Sequence, residues 1–208
     1  GLNDGQVLAQ FSLALSYAAI FFIVISFIQL GLLSEFSRFY AAKNFEALYK
    51  LFYLTIAFIL LLSIILILKI WISPNPFVDS DVSIKNAAYN SLKILTLSFP
   101  FVGLLTTITY FLEGIGSIGK VTKLRITQFF VQILLVSLTL CIDSNQLGFL
   151  NLSPLQWIVM AYVLSDIITF IIGFGLLYYE KKNLRFNFIV KIDLSILEEF
   201  NKIIKFGI

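Results

Sequence analysis

Long stretches of this chain carry no charge. Residues 7–33, 51–68, 94–112 and 126–142 contain no Asp, Glu, Lys or Arg, and residues 155–179 contain only Asp166. A helix that crosses a bilayer needs about 20 mostly apolar residues, because the hydrocarbon core is roughly 30 Å thick. A membrane β-strand needs only about 9–11 residues and alternates apolar with polar side chains. The runs here are longer than that and do not alternate. The sequence therefore predicts an all-α polytopic bundle with five transmembrane helices, spans A to E, over about 7–33, 51–73, 88–112, 124–142 and 155–179.

Composition agrees. The chain is 59% hydrophobic and 13% charged, with a mean hydropathy of +0.95, whereas a soluble domain carries about 25% charged residues. A net charge of +3, spread along the chain, gives no footprint for nucleic acid. With no His and a single Cys, Cys141, the usual zinc sites, His-based triads and an internal disulfide are all excluded. We expect no metal site, no cofactor and no enzymatic activity.

The connectors alternate in charge. Arg38, Lys43 and Lys50 lie between A and B, and Lys120, Lys123 and Arg125 lie around the C–D turn. Lys181, Lys182 and Arg185 follow E, while the D–E connector "DSNQLGFLNLSP" has neither Lys nor Arg. The positive-inside rule then puts the A–B and C–D loops and the tail in the cytoplasm, in a plasma or bacterial cytoplasmic membrane. Trp71 and Trp157 fall at the opposite ends, where amphipathic rings favour the interface.

Domain organisation follows from the same pattern. Residues 1–182 form the membrane bundle. Residues 183–208 form a cytoplasmic linker in which "LSILEEFNKIIKF" (194–206) places Leu194, Leu197, Phe200, Ile203 and Ile204 near one helical face. The chain starts at Gly1 and stops at "KFGI", and is expected to be a fragment of a longer polytopic protein.

Between C and D, Gly114-x-Gly116-x-x-Gly119 has the spacing of a dinucleotide-binding fingerprint, followed by Lys120. That fingerprint has meaning only between a strand and a helix, with an acid about 20 residues on. Here it joins two apolar helices, and residues 126–142 contain no acid. The glycines are instead expected to cap one helix and reverse the chain into the next, with Lys120 and Lys123 at the headgroups.

The segment "FPFVGLLTTITYFLEGIGSIGKVTK" resembles the multidrug and toxic-compound extrusion (MATE) transporter family, at Pro100, Leu112, Gly116 and Lys120. Gly31, Ser37, Arg38 and Ala41 are similar to the loop after that family's second span, and "NKIIKFGI" to the stretch before its seventh. Glu113 and Tyr40 depart from the pattern, standing where the family often has Arg and Gly. The resemblance implies that A–E are the second to sixth of twelve spans. The first span and a second six-helix bundle would then lie outside this chain, and the full-length protein would be a monomer.

Polar groups inside the spans mark candidate sites, because burying them in hydrocarbon is costly. Tyr162, Asp166, Thr169 and Gly173 share one stripe of E. Asp166 is able to exchange a proton or bind a cation, or to tie neighbouring helices together as polar glue. Gln128, Gln132 and Thr139 form a stripe on D. Some MATE members bind the coupling ion there with an Asn and an Asp four residues on; the matching positions here are Gln132 and Val136. Ala9, Ser12, Ser16, Ala19 and Ser26 on A suit close helix packing or a cavity wall. Pro100 predicts a kink in C, either a hinge or a shaping bend.

The family resemblance and the lone mid-span acid together point to a secondary transporter. It would export small organic, often cationic, amphiphiles in exchange for protons or sodium ions by alternating access. Two alternatives stay open: a flippase for lipid-linked oligosaccharides in the same superfamily, and a scaffold without transport. The flippase would need cations for a pyrophosphate, and the apolar parts of the spans offer almost none beyond Lys69 and Lys93 near their outer ends.

Overall fold

The computed structural model describes residues 4–77, 82–141, 153–184 and residue 201. The described residues are helical with no strand: α1 (Asp4–Ala41), α2 (Phe45–Ile72), α3 (Val82–Thr96), α4 (Phe99–Gly114), α5 (Ile118–Cys141) and α6 (Pro154–Leu184). Four helices are long and apolar enough to cross a membrane. The bent pair α3–α4 meets the same requirement taken together, and counted as one broken span it makes a fifth. The all-α membrane bundle read from the charge-free runs is therefore what the chain forms.

Cross-helix contacts set the directions. Phe22 meets Phe99, Gln29 meets Gly103 and Phe36 meets Phe111, so α1 runs parallel to the α3–α4 span. Phe101 meets Phe170 and Ser117 meets Glu180, so α6 runs the same way. Two apolar clusters hold the bundle. One, around Phe36, Phe52, Phe111 and Leu112, packs α1, α2 and α4 near the tight turns. The other, around Ala14, Ala18, Leu92, Phe99 and Val159, packs α1, α3 and α6 toward the opposite end.

The helices outrun the charge-free runs. α1 has 38 residues, about 57 Å at a rise of 1.5 Å per residue, far beyond a core of roughly 30 Å. Its last turns stay helical because Phe36 and Phe39 are buried in the first cluster and Glu35 pairs with Arg38 at 2.6 Å. The expected A–B loop shrinks to a short turn after Ala41.

Both turns at this end are the same device. Ser117 N donates to Leu112 O at 2.8 Å and Gly116 N donates to Glu113 O at 2.9 Å, with Gly116 at φ +81°. This double bond pattern with a left-handed residue closes many helices. At α1, Asn44 N donates to Phe39 O and Lys43 N donates to Tyr40 O, both at 3.0 Å, and the left-handed residue is Lys43 at φ 54°. A side chain in that region costs roughly 1–2 kcal/mol, which Gly116 avoids. Gly114 has a packing role: a Cβ there would lie 2.6 Å from Phe36 Cβ, so α4 touches α1 only because the side chain is absent.

Span C is a broken helix. α3 and α4 meet at a bend of 46° across Leu97–Ser98, just before Pro100 in the first turn of α4. Pro100 has no N–H for the Thr96 carbonyl. The exit of α3 tightens instead, with Leu97 N on Ile94 O at 3.1 Å and Ser98 N on Leu95 O at 3.0 Å. α6 ends at Leu184, two residues past the predicted boundary at 182. The amphipathic segment 194–206, apart from residue 201, lies outside the described residues.

Candidate functional site

Asp166 sits near the middle of the 31-residue α6, half-buried. Its Oδ1 accepts from Gln128 Nε2 on α5 at 3.4 Å, a long bond for this pair of groups. The Ser98 hydroxyl, at the break between α3 and α4, lies beside the same carboxyl. Three elements therefore converge on one acid: α5, α6 and the broken span.

The chemistry of the two neighbours differs. Gln128 offers a donor, which suits an ionised carboxylate. The Ser98 hydroxyl donates to Leu95 O at 2.9 Å; it can rotate to donate to an ionised Asp166, and its lone pairs can also accept. A protonated Asp166 can donate to them. The site has a partner for each protonation state and, among the described residues, no cation paired with the acid. Groups that coordinate a metal through three or more His, Cys, Asp or Glu side chains are absent among the described residues.

The predicted stripe on α6 divides by partner. Tyr162 is half-buried, with its ring 5.5 Å from Phe11 of α1. Thr169 is fully buried and donates to Ser165 O of its own helix at 2.7 Å. At Gly173 a Cβ would stand 3.1 Å from Leu105 and 3.3 Å from Leu124, so this glycine lets α6 approach α4 and α5. On α5, Gln132 is half-buried one turn beyond Gln128. Thr139 donates to Val136 O at 2.7 Å. Pro100 is half-buried just past the bend. Lys93, a conceivable partner for Asp166, instead lies 4.4 Å over the Tyr89 ring.

Of the small residues of span A, Ala9, Ser12, Ser16 and Ser26 are exposed and Ala19 is half-buried, and Ala19 and Ser26 line an open groove with Phe22, Ile23, Phe27 and Leu30. Ser16 satisfies itself on Ser12 O at 2.7 Å. The packing face of α1 is the one bearing Ala14, Ala18, Ile25, Gln29 and Leu32.

Two polar groups escaped the sequence reading. Gln29 is fully buried and donates to Gly103 O and Thr107 Oγ1, both at 2.8 Å, tying α1 to α4. An amide inside a charge-free run, as at Gln128 and Gln132, was the available signal. Glu180 is buried near the end of α6, where its Oε1 pairs with Lys120 and accepts from Ser117 at 3.3 Å. Lys120 thus joins α5 to α6 and does not simply lie among headgroups. Its sequence signal was weak, because "YYEKK" reads as an ordinary charged helix end.

A family model described as MatE matches residues 1–142, about two thirds of the chain. No curated protein and no solved structure gives a significant match.

Proposed function

The chain belongs to the MatE family, whose members are transporters of the MATE superfamily, and we propose that it forms part of an antiporter. This antiporter exports small organic, often cationic, amphiphiles in exchange for protons or sodium ions. The observation that carries the reading is Asp166: an acid at mid-span, held by Gln128 and Ser98 at the break of another span. Discontinuous helices at the midplane are where transporters commonly bind coupling ions. A neutral amide and a neutral hydroxyl, with no paired cation among the described residues, suit an acid that gains and loses a proton or binds a cation. Alternating access would rock this bundle against a second one around a midplane site, loading the acid from one side and unloading it on the other. The tight-turn end would face the cytoplasm, as the positive-inside rule expects.

The test is efflux by the full-length protein in cells or proteoliposomes. Asp166→Asn keeps the size and the hydrogen bonds of the side chain but cannot ionise. It is expected to abolish ion-driven efflux of a fluorescent organic cation while expression stays normal. Unchanged efflux with unchanged ion dependence in that variant would remove Asp166 from the mechanism.

A further inference from the structure

A second site lies at the other end of the bundle, between α1, α2 and α3. A small, partly open cavity of about 70 Å³ is lined by Tyr17, Phe21, Lys69, Ser73, Pro76 and Tyr89. Its wall is held firmly. The Tyr89 hydroxyl reaches Ile70 O at 2.8 Å and Ser73 O at 2.5 Å, and Ser73 N donates to Lys69 O at 2.9 Å. Phe77 N donates to Asn75 Oδ1 at 3.1 Å, and Tyr17 packs edge-on against Phe77 at 5.5 Å. Lys69 has no carboxylate partner among the described residues. Lys93, 4.4 Å over the Tyr89 ring, adds a second positive charge nearby.

Lys69 also ends a stripe. Leu61, Ile65 and Lys69 follow at i, i+4 and i+8, flanked by Ile64, Leu68 and Ile72. All these apolar residues are exposed on a helix that crosses the membrane. Trp71 stands beside them, exposed, with its Nε1 donating to Thr96 Oγ1 at 3.2 Å. An ammonium above a greasy track, at a level marked by an interfacial indole, has the shape of a phospholipid: phosphate at Lys69, acyl chain along α2.

We infer that this cavity holds the phosphate of an anionic phospholipid, with Lys69 as its counter-charge and the exposed face of α2 as the seat for an acyl chain. Charge complementarity and the continuous apolar stripe favour a lipid over a soluble phosphate, which would use the lysine and leave the stripe idle.

The full-length protein would be reconstituted in nanodiscs of phosphatidylcholine and phosphatidylglycerol, then released and weighed by native mass spectrometry. Wild type is expected to retain phosphatidylglycerol in preference to phosphatidylcholine. Lys69→Gln should cut that retention about five-fold, the effect of removing one lysine near a charged headgroup. Lys69→Arg should preserve it, and Lys123→Gln, at an exposed lysine on α5, should leave it unchanged. Ser73→Phe fills the cavity and keeps the charge, and should also lose the lipid. Equal retention by wild type and Lys69→Gln overturns the site, as does full retention by Ser73→Phe. Displacement of the lipid by excess inorganic phosphate would assign the cavity to a soluble anion and overturn the lipid.

Discussion

Helices α5 and α6 are joined by two carboxyl groups in opposite situations. At the tight-turn end, Glu180 is buried and meets a full positive charge from Lys120, with the Ser117 hydroxyl alongside. Fourteen residues earlier, about 21 Å along the axis, Asp166 meets a neutral amide at 3.4 Å and a neutral hydroxyl. The same two helices thus compensate one acid and leave the other uncompensated. A carboxylate half-buried among apolar helices without a counter-charge is costly to hold. On the proposed reading its charge is balanced by a proton or cation that comes and goes. The contrast separates a joint that holds the bundle from a position suited to a mobile proton or cation.

Variants can break that contrast. The largest effect is expected from Asp166→Asn, with ion-coupled efflux lost by more than about ten-fold, a change of at least ~1.4 kcal/mol in coupling, and melting temperature nearly unchanged. A large fall in melting temperature would instead class Asp166 with Glu180. Glu180→Gln should do the reverse, leaving the Lys120 ammonium half-buried without its counter-charge. We predict a stability loss of about 1–3 kcal/mol, read by thermal unfolding in detergent, with ion dependence of the remaining transport intact. Gln128→Leu removes the donor that favours ionised Asp166. It should change the ion concentration needed for half-maximal efflux by several-fold, with a stability change under about 1 kcal/mol. Gln132→Leu is expected to be the mildest, within about 0.5 kcal/mol in stability and unchanged in ion dependence. A shift as large as that of Gln128→Leu would extend the site one turn along α5.

Much of this molecule is legible in its sequence. The charge-free runs give the five spans because hydrocarbon accepts no unpaired charge. Asp166 stands out for the same reason. The reversal at Gly116 is readable because its context excludes a nucleotide loop and leaves a helix cap. What the sequence hides depends on register between helices. That Gln128 and Ser98 both reach Asp166 follows from how α5 and the broken span lie against α6, which no single helix encodes. Lys43 is a hidden case of another kind: it adopts the conformation that glycine adopts in the matching turn, and nothing in "AAKNF" announces it. The outward face of Ala9, Ser12 and Ser16 shows the limit of small-residue stripes, which mark a face without saying which way it points.

The most direct test of the contrast is cation release from the purified full-length protein in detergent, upon addition of an organic cation. Proton release would be followed with a pH-sensitive dye, and sodium release with a radioactive tracer. Wild type and Glu180→Gln should both release the ion on substrate addition, and Asp166→Asn should release none. Release by Asp166→Asn equal to wild type, or its loss in a folded Glu180→Gln, would contradict the assignment of the exchangeable charge to the middle of α6.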